Sequence, residues 1–185
     1  MEQIKSTTVL AIIHDNELAI GADGQATMGN AIIVKSNVKK LRKLMNGTIL
    51  VGFAGSTADC LTLIDRLDEK LQKYSGDMRR SSVELARDWR TDRYLRKLEA
   101  MIIVANNKDL LIVSGNGDVL EPDNRIAAIG SGGVYANSAA IALKRHSPHM
   151  KAEEMVRSAL TIAADTCIYT NHNITIEKLA YPSIA

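Results

Sequence analysis

Cysteine, proline and aromatic side chains are all scarce in this chain, and so are long apolar runs and any excess of charge. The two cysteines, Cys60 and Cys167, stand far apart with no CxxC spacing, which argues against a disulfide framework and for buried, reduced thiols in a reducing compartment. No stretch approaches the roughly 20 apolar residues of a membrane span. Met1 to Lys5 is polar and the apolar run behind it is short, so the start lacks a secretory signal pattern. These absences predict a cytoplasmic protein that does not enter a membrane. The formal charge is only +2, too small a global field to argue for nucleic acid. Internal repeats and low-complexity tracts are lacking as well.

What is present suits one compact domain: 185 residues, 46% of them apolar, enough to bury a core without staples. Apolar runs of strand length occupy Thr8 to Ile13, Leu18 to Ile20, Ile32 to Val34 and Thr48 to Phe53, separated by Gly and Asn turn signals. Helical spacing begins after Ser56, with Leu61, Ile64, Leu67 and Leu71 on one stripe. A second helix is predicted from Ser81 or Ser82 to about Leu98. Strands follow at Met101 to Ala105, Leu110 to Ser114 and Ile126 to Ile129. Two more helices, Val134 to Lys144 and Ala152 to Ala163, and a last strand at Ile174 to Leu179 complete the chain. Strands, two helices, strands, two helices and a strand do not alternate as in a doubly wound α/β fold. The order predicts an α+β arrangement of antiparallel sheets with helices on the outer faces.

The residues with chemical potential cluster near the start. Thr7-Thr8 opens the first strand, Gly21-Ala22-Asp23-Gly24-Gln25 follows the second, and Lys39-Lys40 comes next. A threonine hydroxyl is a poor nucleophile unless a base takes its proton, and a threonine at a mature N-terminus carries that base as its own α-amine. A lysine nearby would lower the amine's affinity for a proton, and an aspartate would hold the lysine. Gly130-Ser131-Gly132-Gly133 sits between a predicted strand and helix, a setting in which backbone amides meet an anion. It lacks the remainder of a phosphate-binding fingerprint. The arginine-rich run Arg87 to Lys97 interleaves Asp88 and Asp92 at ion-pair spacing and reads as a charged helix face, suited to a subunit contact, in preference to a phosphate-binding one. Asp165, Cys167 and Thr170 lie where an irregular turn could offer carbonyls to a hard cation.

Taken together, Thr7-Thr8, Gly24-Gln25-Ala26-Thr27, Gly52-Phe53-Ala54-Gly55-Ser56-Thr57-Ala58-Asp59, Val83 to Arg93 with its Arg-Asp-Trp-Arg-Thr-Asp-Arg run, Gly130-Ser131-Gly132-Gly133 and Cys167-Ile168-Tyr169-Thr170-Asn171 closely resemble the HslV (ClpQ) family of proteasome-β-like peptidases, from Thr7 to about Leu179. The resemblance implies a four-layer α/β/β/α sandwich of the N-terminal-nucleophile hydrolase type. It implies a threonine-type endopeptidase acting on unfolded proteins in a homo-dodecamer of two stacked hexameric rings. An HslU (ClpY) AAA+ ATPase would feed that chamber and be the only component to use ATP; no organic cofactor, nucleic acid or membrane partner is implied. Thr7 matches the nucleophile, Asp23 the acidic partner of the lysine, Gly52 the oxyanion-hole amide and Ser131 a serine beside the threonine. Anchoring on Asn37-Val38-Lys39-Lys40 makes Lys40 the match, whereas counting from Thr7 without a gap selects Lys39. On a strand these two point to opposite faces, and Lys40 is the expected one. Ala164, Cys167 and Thr170 fall where the family binds sodium or potassium through main-chain oxygens. Residues 1–6 are expected to be a leader that is removed, leaving a single peptidase domain over 7–185. Self-cleavage at Ser6-Thr7, or trimming by another protease, would expose the amine, with Ser6 as the alternative terminal nucleophile and an unprocessed, non-catalytic ring scaffold as the alternative function.

Overall fold

The computed structural model describes residues 4–5, 7–29 and 32–180, without the side chains of Ile4, Lys5 and Thr57; Ser6 and the tail after Ala180 lie outside the described residues. The chain opens with β1 (Ile4–Lys5), β2 (Thr8–His14), β3 (Glu17–Ala22), β4 (Ala26–Met28) and β5 (Ile32–Lys35), then β6 (Leu41–Leu44) and β7 (Ile49–Gly55). Helices α1 (Thr57–Lys73) and α2 (Met78–Thr91) follow, then β8 (Ala100–Ala105), β9 (Leu110–Ser114), β10 (Val119–Leu120) and β11 (Ile126–Gly130). Helices α3 (Gly133–His146) and α4 (Ala152–Thr166) and strand β12 (Thr175–Ala180) close the fold.

The strands form two main antiparallel sheets, β11-β2-β3-β12 and β10-β9-β8-β7-β6, and a small third one, β1-β4-β5. Three apolar layers join them. Val9, Ala11, Ile20, Leu50, Ile103 and Ala127 fill the space between the main sheets. Val51, Phe53, Ile102 and Val104 pack against Leu63, Leu67 and Trp89 of α1 and α2. Leu10, Ile12 and Ala19 pack against Met155, Val156 and Leu160 of α4. The result is the expected α/β/β/α sandwich. It explains why β2 reads as a continuous apolar run instead of an alternating one, since both of its faces are covered.

Two tight turns set the register on which the site depends. Asp15 and Asn16 both have positive φ (44° and 58°), the backbone of a two-residue hairpin that matches strand twist. That turn pairs His14 with Glu17 and, at the other end, Val9 with Ala22, so Thr8 comes to lie beside Asp23. The β6–β7 hairpin closes through a four-residue loop, residues 45–48, in which Met45 and Asn46 have positive φ (50° and 56°), and it pairs Leu41 with Gly52.

Several boundaries differ from expectation. Helix α2 starts earlier, because the Asp77 side chain caps it by accepting the Arg80 amide at 3.0 Å; Ser81 and Ser82 are buried one turn inside. It also ends earlier: Asp92 turns extended and its carboxylate accepts the amides of Tyr94 (2.7 Å) and Leu95 (2.9 Å), so the stretch to Leu98 is a short 3-10 turn and not helix. The short strands β4, β6 and β10 carry too few apolar residues to be seen in the sequence. The basic run on α2 is partly paired, Arg87 with Glu84 at 2.9 Å and Lys70 of α1 with Asp88. Both cysteines are free and buried, and burial pushes the Cys60 thiol up to about 12.

Trp89 is fully buried under β9 and donates its indole N–H to the Leu98 carbonyl at 3.3 Å. Trp89→Ala should therefore lower the unfolding free energy by about 3–5 kcal/mol; a urea titration with a loss under about 1 kcal/mol would contradict this packing.

Candidate active site

Thr7 lies at the mouth of β2 and is 4% exposed. Its carbonyl accepts the Ser131 amide at 2.9 Å, and Gly130 makes that contact possible. A Cβ on Gly130 would stand 1.7 Å from the Thr7 carbonyl oxygen, and its φ of +88° already favours glycine. The neighbouring Thr8 is fixed on three sides. Its amide donates to Asp23 Oδ1 at 2.8 Å, its hydroxyl accepts the Gly132 amide at 2.9 Å, and the same hydroxyl shares a 2.7 Å hydrogen bond with the Thr170 hydroxyl. Two amides of the glycine-rich turn, those of Ser131 and Gly132, are thus spent on the Thr7 carbonyl and the Thr8 hydroxyl.

Asp23 gathers the surrounding segments. Lys40 Nζ donates to Asp23 Oδ1 at 2.8 Å, with the lysine side chain 2% and the aspartate 0% exposed. Asp23 Oδ2 accepts the amides of Gln25 (2.8 Å) and Asn171 (3.3 Å). Four donors on one buried carboxylate keep its charge satisfied without water. Burial lowers the Lys40 ammonium from its ordinary range, and the attraction and hydrogen bond of Asp23 work against that shift. Of the two adjacent lysines, Lys40 lies against Asp23, while Lys39 is exposed. The segment is held in that phase by Val38 donating to the Gly24 carbonyl (2.8 Å) and Phe53 donating to the Lys40 carbonyl (3.3 Å).

Gly52 is positioned differently from expectation. Amides alternate in direction along a strand. The Phe53 amide points toward β6 and the Ser56 amide toward the Glu99 carbonyl at the β8 side. By the same alternation the Gly52 amide faces β8, where Gly52 pairs with Ile103. A Cβ at Gly52 would fall 2.5 Å from Val9 and 2.9 Å from Ile20, so this glycine lets the two sheets approach. Gly55, at the end of β7 with φ +133°, has its amide on the Lys40 side, beyond Leu41, the first residue of β6.

The remaining expected residues surround this centre. Ser131 is exposed and touches Thr7 through its amide. Ala164 is in the last turn of α4, where helix carbonyls have no intrahelical partner, and that turn contains no basic residue. Cys167 and Thr170 are buried in the loop after it, with the Thr170 amide on the Cys167 carbonyl at 3.0 Å. A helix C-terminus with main-chain oxygens and no competing lysine or arginine suits a monovalent cation. Two residues of the quoted motifs that motif reading gave no role also matter. Asn171 accepts the Gly24 amide and donates to the Ser36 carbonyl (3.1 and 2.9 Å), and Gln25 reaches the Ile168 carbonyl at 2.9 Å. Both are polar residues in turns, where only the fold reveals the partner.

A family model described as proteasome subunit matches residues 4–179. The ATP-dependent protease subunit HslV of Amoebophilus asiaticus (strain 5a2) is 67% identical over 180 residues, covering 97% of this chain and 100% of that protein. The protein of the same name from Cytophaga hutchinsonii is 64% identical, covering 96% and 98%. Among solved structures, eukaryotic HslV from Trypanosoma brucei superposes with a TM-score of 0.90 at 38% identity, covering 94% of this chain and 99% of that one.

The geometry separates the two lysines experimentally. Lys40→Met strands the buried Asp23 carboxylate and should cost about 3–5 kcal/mol of stability, whereas Lys39→Met should stay within about 0.5 kcal/mol. Chemical denaturation of both variants checks this, and equal effects would reverse the assignment.

Proposed function

The chain belongs to the proteasome family, in its HslV branch of ATP-dependent protease subunits, and from that premise we propose that it is a threonine endopeptidase whose nucleophile is the Thr7 hydroxyl. The observation that carries this reading is the buried Asp23–Lys40 pair beside Thr7, with the Thr7 carbonyl clamped by the Ser131 amide. Removal of residues 1–6 frees the Thr7 amine. In the leader-bearing chain the Thr7 hydroxyl attacks the Ser6 carbonyl carbon, the Ser6–Thr7 C–N bond breaks, and water then hydrolyses the resulting ester to release the leader.

In the mature enzyme the Thr7 Oγ bonds to the substrate's carbonyl carbon while its proton passes to the Thr7 amine. The ammonium of Lys40 keeps that amine from holding a proton too tightly, and Asp23 keeps Lys40 in place. The oxyanion of the tetrahedral intermediate needs a backbone amide facing the lysine side of β7. Strand alternation favours Gly55 for this role over Gly52. As the C–N bond breaks, the proton moves from the Thr7 amine to the departing amine, and Ser131 lies beside that transfer. Water then attacks the acyl ester and regenerates Thr7.

A sodium or potassium ion held by main-chain oxygens of Ala164, Cys167 and Thr170 would supply charge that fixes the loop after α4. That loop carries Asn171 against Asp23 and Thr170 against Thr8. Among the described residues no helix is long and apolar enough to cross a membrane. We read the protein as cytoplasmic, assembled as two stacked hexamers and supplied with unfolded polypeptide by an HslU-type ATPase. The names of the relatives, subunits of an ATP-dependent protease, support that reading.

Intact mass of the freshly expressed protein should correspond to a chain beginning at Thr7. Thr7→Ala should retain the leader and lose at least ~10³-fold of peptide cleavage. A chain still starting at Met1 in an assembled, inactive particle would favour the non-catalytic scaffold instead.

A further inference from the structure

A cleft of about 550 Å³ opens at the end of the two main sheets, against Gly130. Its walls include Gly130 and Ala54. Gly130 is the residue whose missing Cβ makes room for the Thr7 carbonyl, and Ala54 lies 3.3 Å from that same Cβ position. The cleft is therefore continuous with the site described above, yet none of the residues assigned to the reaction lines it. Met101, Ile112 and Leu120 give it apolar walls, and Glu99 and Asp118 give it an acidic margin with no lysine or arginine in the lining.

The leader fixes the direction in which a peptide crosses Thr7. Ile4 and Lys5 pair antiparallel with Met28 and Thr27 of β4, so residues preceding the bond to Thr7 lie on the β4 flank. Strand β4 continues from β3, on one side of β2, whereas β11 with Gly130 borders β2 on the other. A polypeptide that approaches Thr7 along β4 leaves it on the β11 flank. We propose that the cleft at Gly130 receives the substrate segment that follows the cleaved bond, and that it selects an apolar residue first and a basic residue next. This rests on the reading of Thr7 as nucleophile.

The selection follows from the chemistry of the walls. An apolar side chain entering the cleft covers Met101 and Leu120, which are 38% and 58% exposed, and gains roughly 25 cal/mol per Å² removed from water. A lysine or arginine placed next to it meets two carboxylates, and an aspartate there meets like charge. The Glu99 backbone is held from both ends, its amide on Asp59 Oδ2 (3.2 Å) and its carbonyl on the Ser56 amide (3.4 Å). Asp118 Oδ2 accepts the Ser114 hydroxyl at 3.1 Å. The acidic margin therefore has a fixed backbone at Glu99 and a hydrogen-bonded carboxylate at Asp118.

Two assays test the proposal. In the first, the processed protein cleaves peptides identical before the bond and carrying Leu-Lys or Leu-Asp after it. The ratio of kcat/KM should favour Leu-Lys, and the double variant Glu99→Lys, Asp118→Lys should reduce that ratio by about 5- to 10-fold. The double variant Asp65→Lys, Glu69→Lys, an equal charge change on the exposed face of α1, should leave it as in the wild type. In the second, fluorescence anisotropy follows a labelled Leu-Lys-Ala-Ala peptide binding to Thr7→Ala, where no chemistry occurs. Weaker binding by the charge-reversed cleft carries the proposal, and equal binding by both forms overturns it. If Thr7→Ala still cleaves at the wild-type rate, the nucleophile assignment fails, while the binding assay still decides the cleft.

Discussion

The buried ion pair between Lys40 and Asp23 is the contact that the rest of the site depends on. A charged pair removed from water is tolerated only when its geometry is good and its remaining valences are filled. Here four parts of the chain fill them: the Thr8 amide from β2, the Gln25 amide from the turn before β4, the Lys40 ammonium ahead of β6 and the Asn171 amide after α4. Each of these segments is therefore fixed relative to the others by one carboxylate. The same carboxylate sets the distance between Thr7 and the lysine, because Thr8 is bonded to it directly.

The pair in turn requires a specific register. The segment 36–40 lies between β5 and β6, and a one-residue slip of it would exchange Lys40 for Lys39. Val38 donating to the Gly24 carbonyl and Phe53 donating to the Lys40 carbonyl hold it in place, and the positive φ at Asp15 and Asn16 fixes the hairpin that carries Gly24. Glycines then bring the layers close enough: Gly52 admits Val9 and Ile20, and Gly130 admits the Thr7 carbonyl. The core and the site are consequently one problem in packing. The sheets that bury Leu10, Ile12 and Leu50 also carry Thr7, Asp23 and the lysine to their shared open end.

Much of this arrangement is legible in the amino-acid sequence. Continuous apolar runs at strand length, bounded by Asn and Gly, mark the principal strands of both main sheets, and helical stripes mark all four helices. Thr7, Asp23 and the lysine pair stand out because nucleophile, carboxylate and cation make a coherent set, and the family resemblance supplies their relation. Other features depend on partners remote in sequence. Asn171 acquires its role only because the loop after α4 lands on Gly24 and Ser36. The direction of the Gly52 amide depends on strand phase, which a motif does not carry. The end of α2 depends on Asp92 finding two amides of its own turn, a local competition that the helical stripe through Tyr94 and Leu98 conceals.

The direction of the Lys40 shift bears on why such a pair exists. Burial lowers the Lys40 ammonium from its ordinary range, against the attraction and hydrogen bond of Asp23. A pair of that kind is a weak source of stability, and apolar residues of similar volume would satisfy the same space at lower cost. The stability of the fold must then come from the three apolar layers, with Trp89, Phe53 and Leu10 fully or almost fully buried. What the pair contributes is a positive charge held at a fixed place with its proton less tightly bound than in water. That is the property required beside an amine that must accept and return a proton within one reaction cycle.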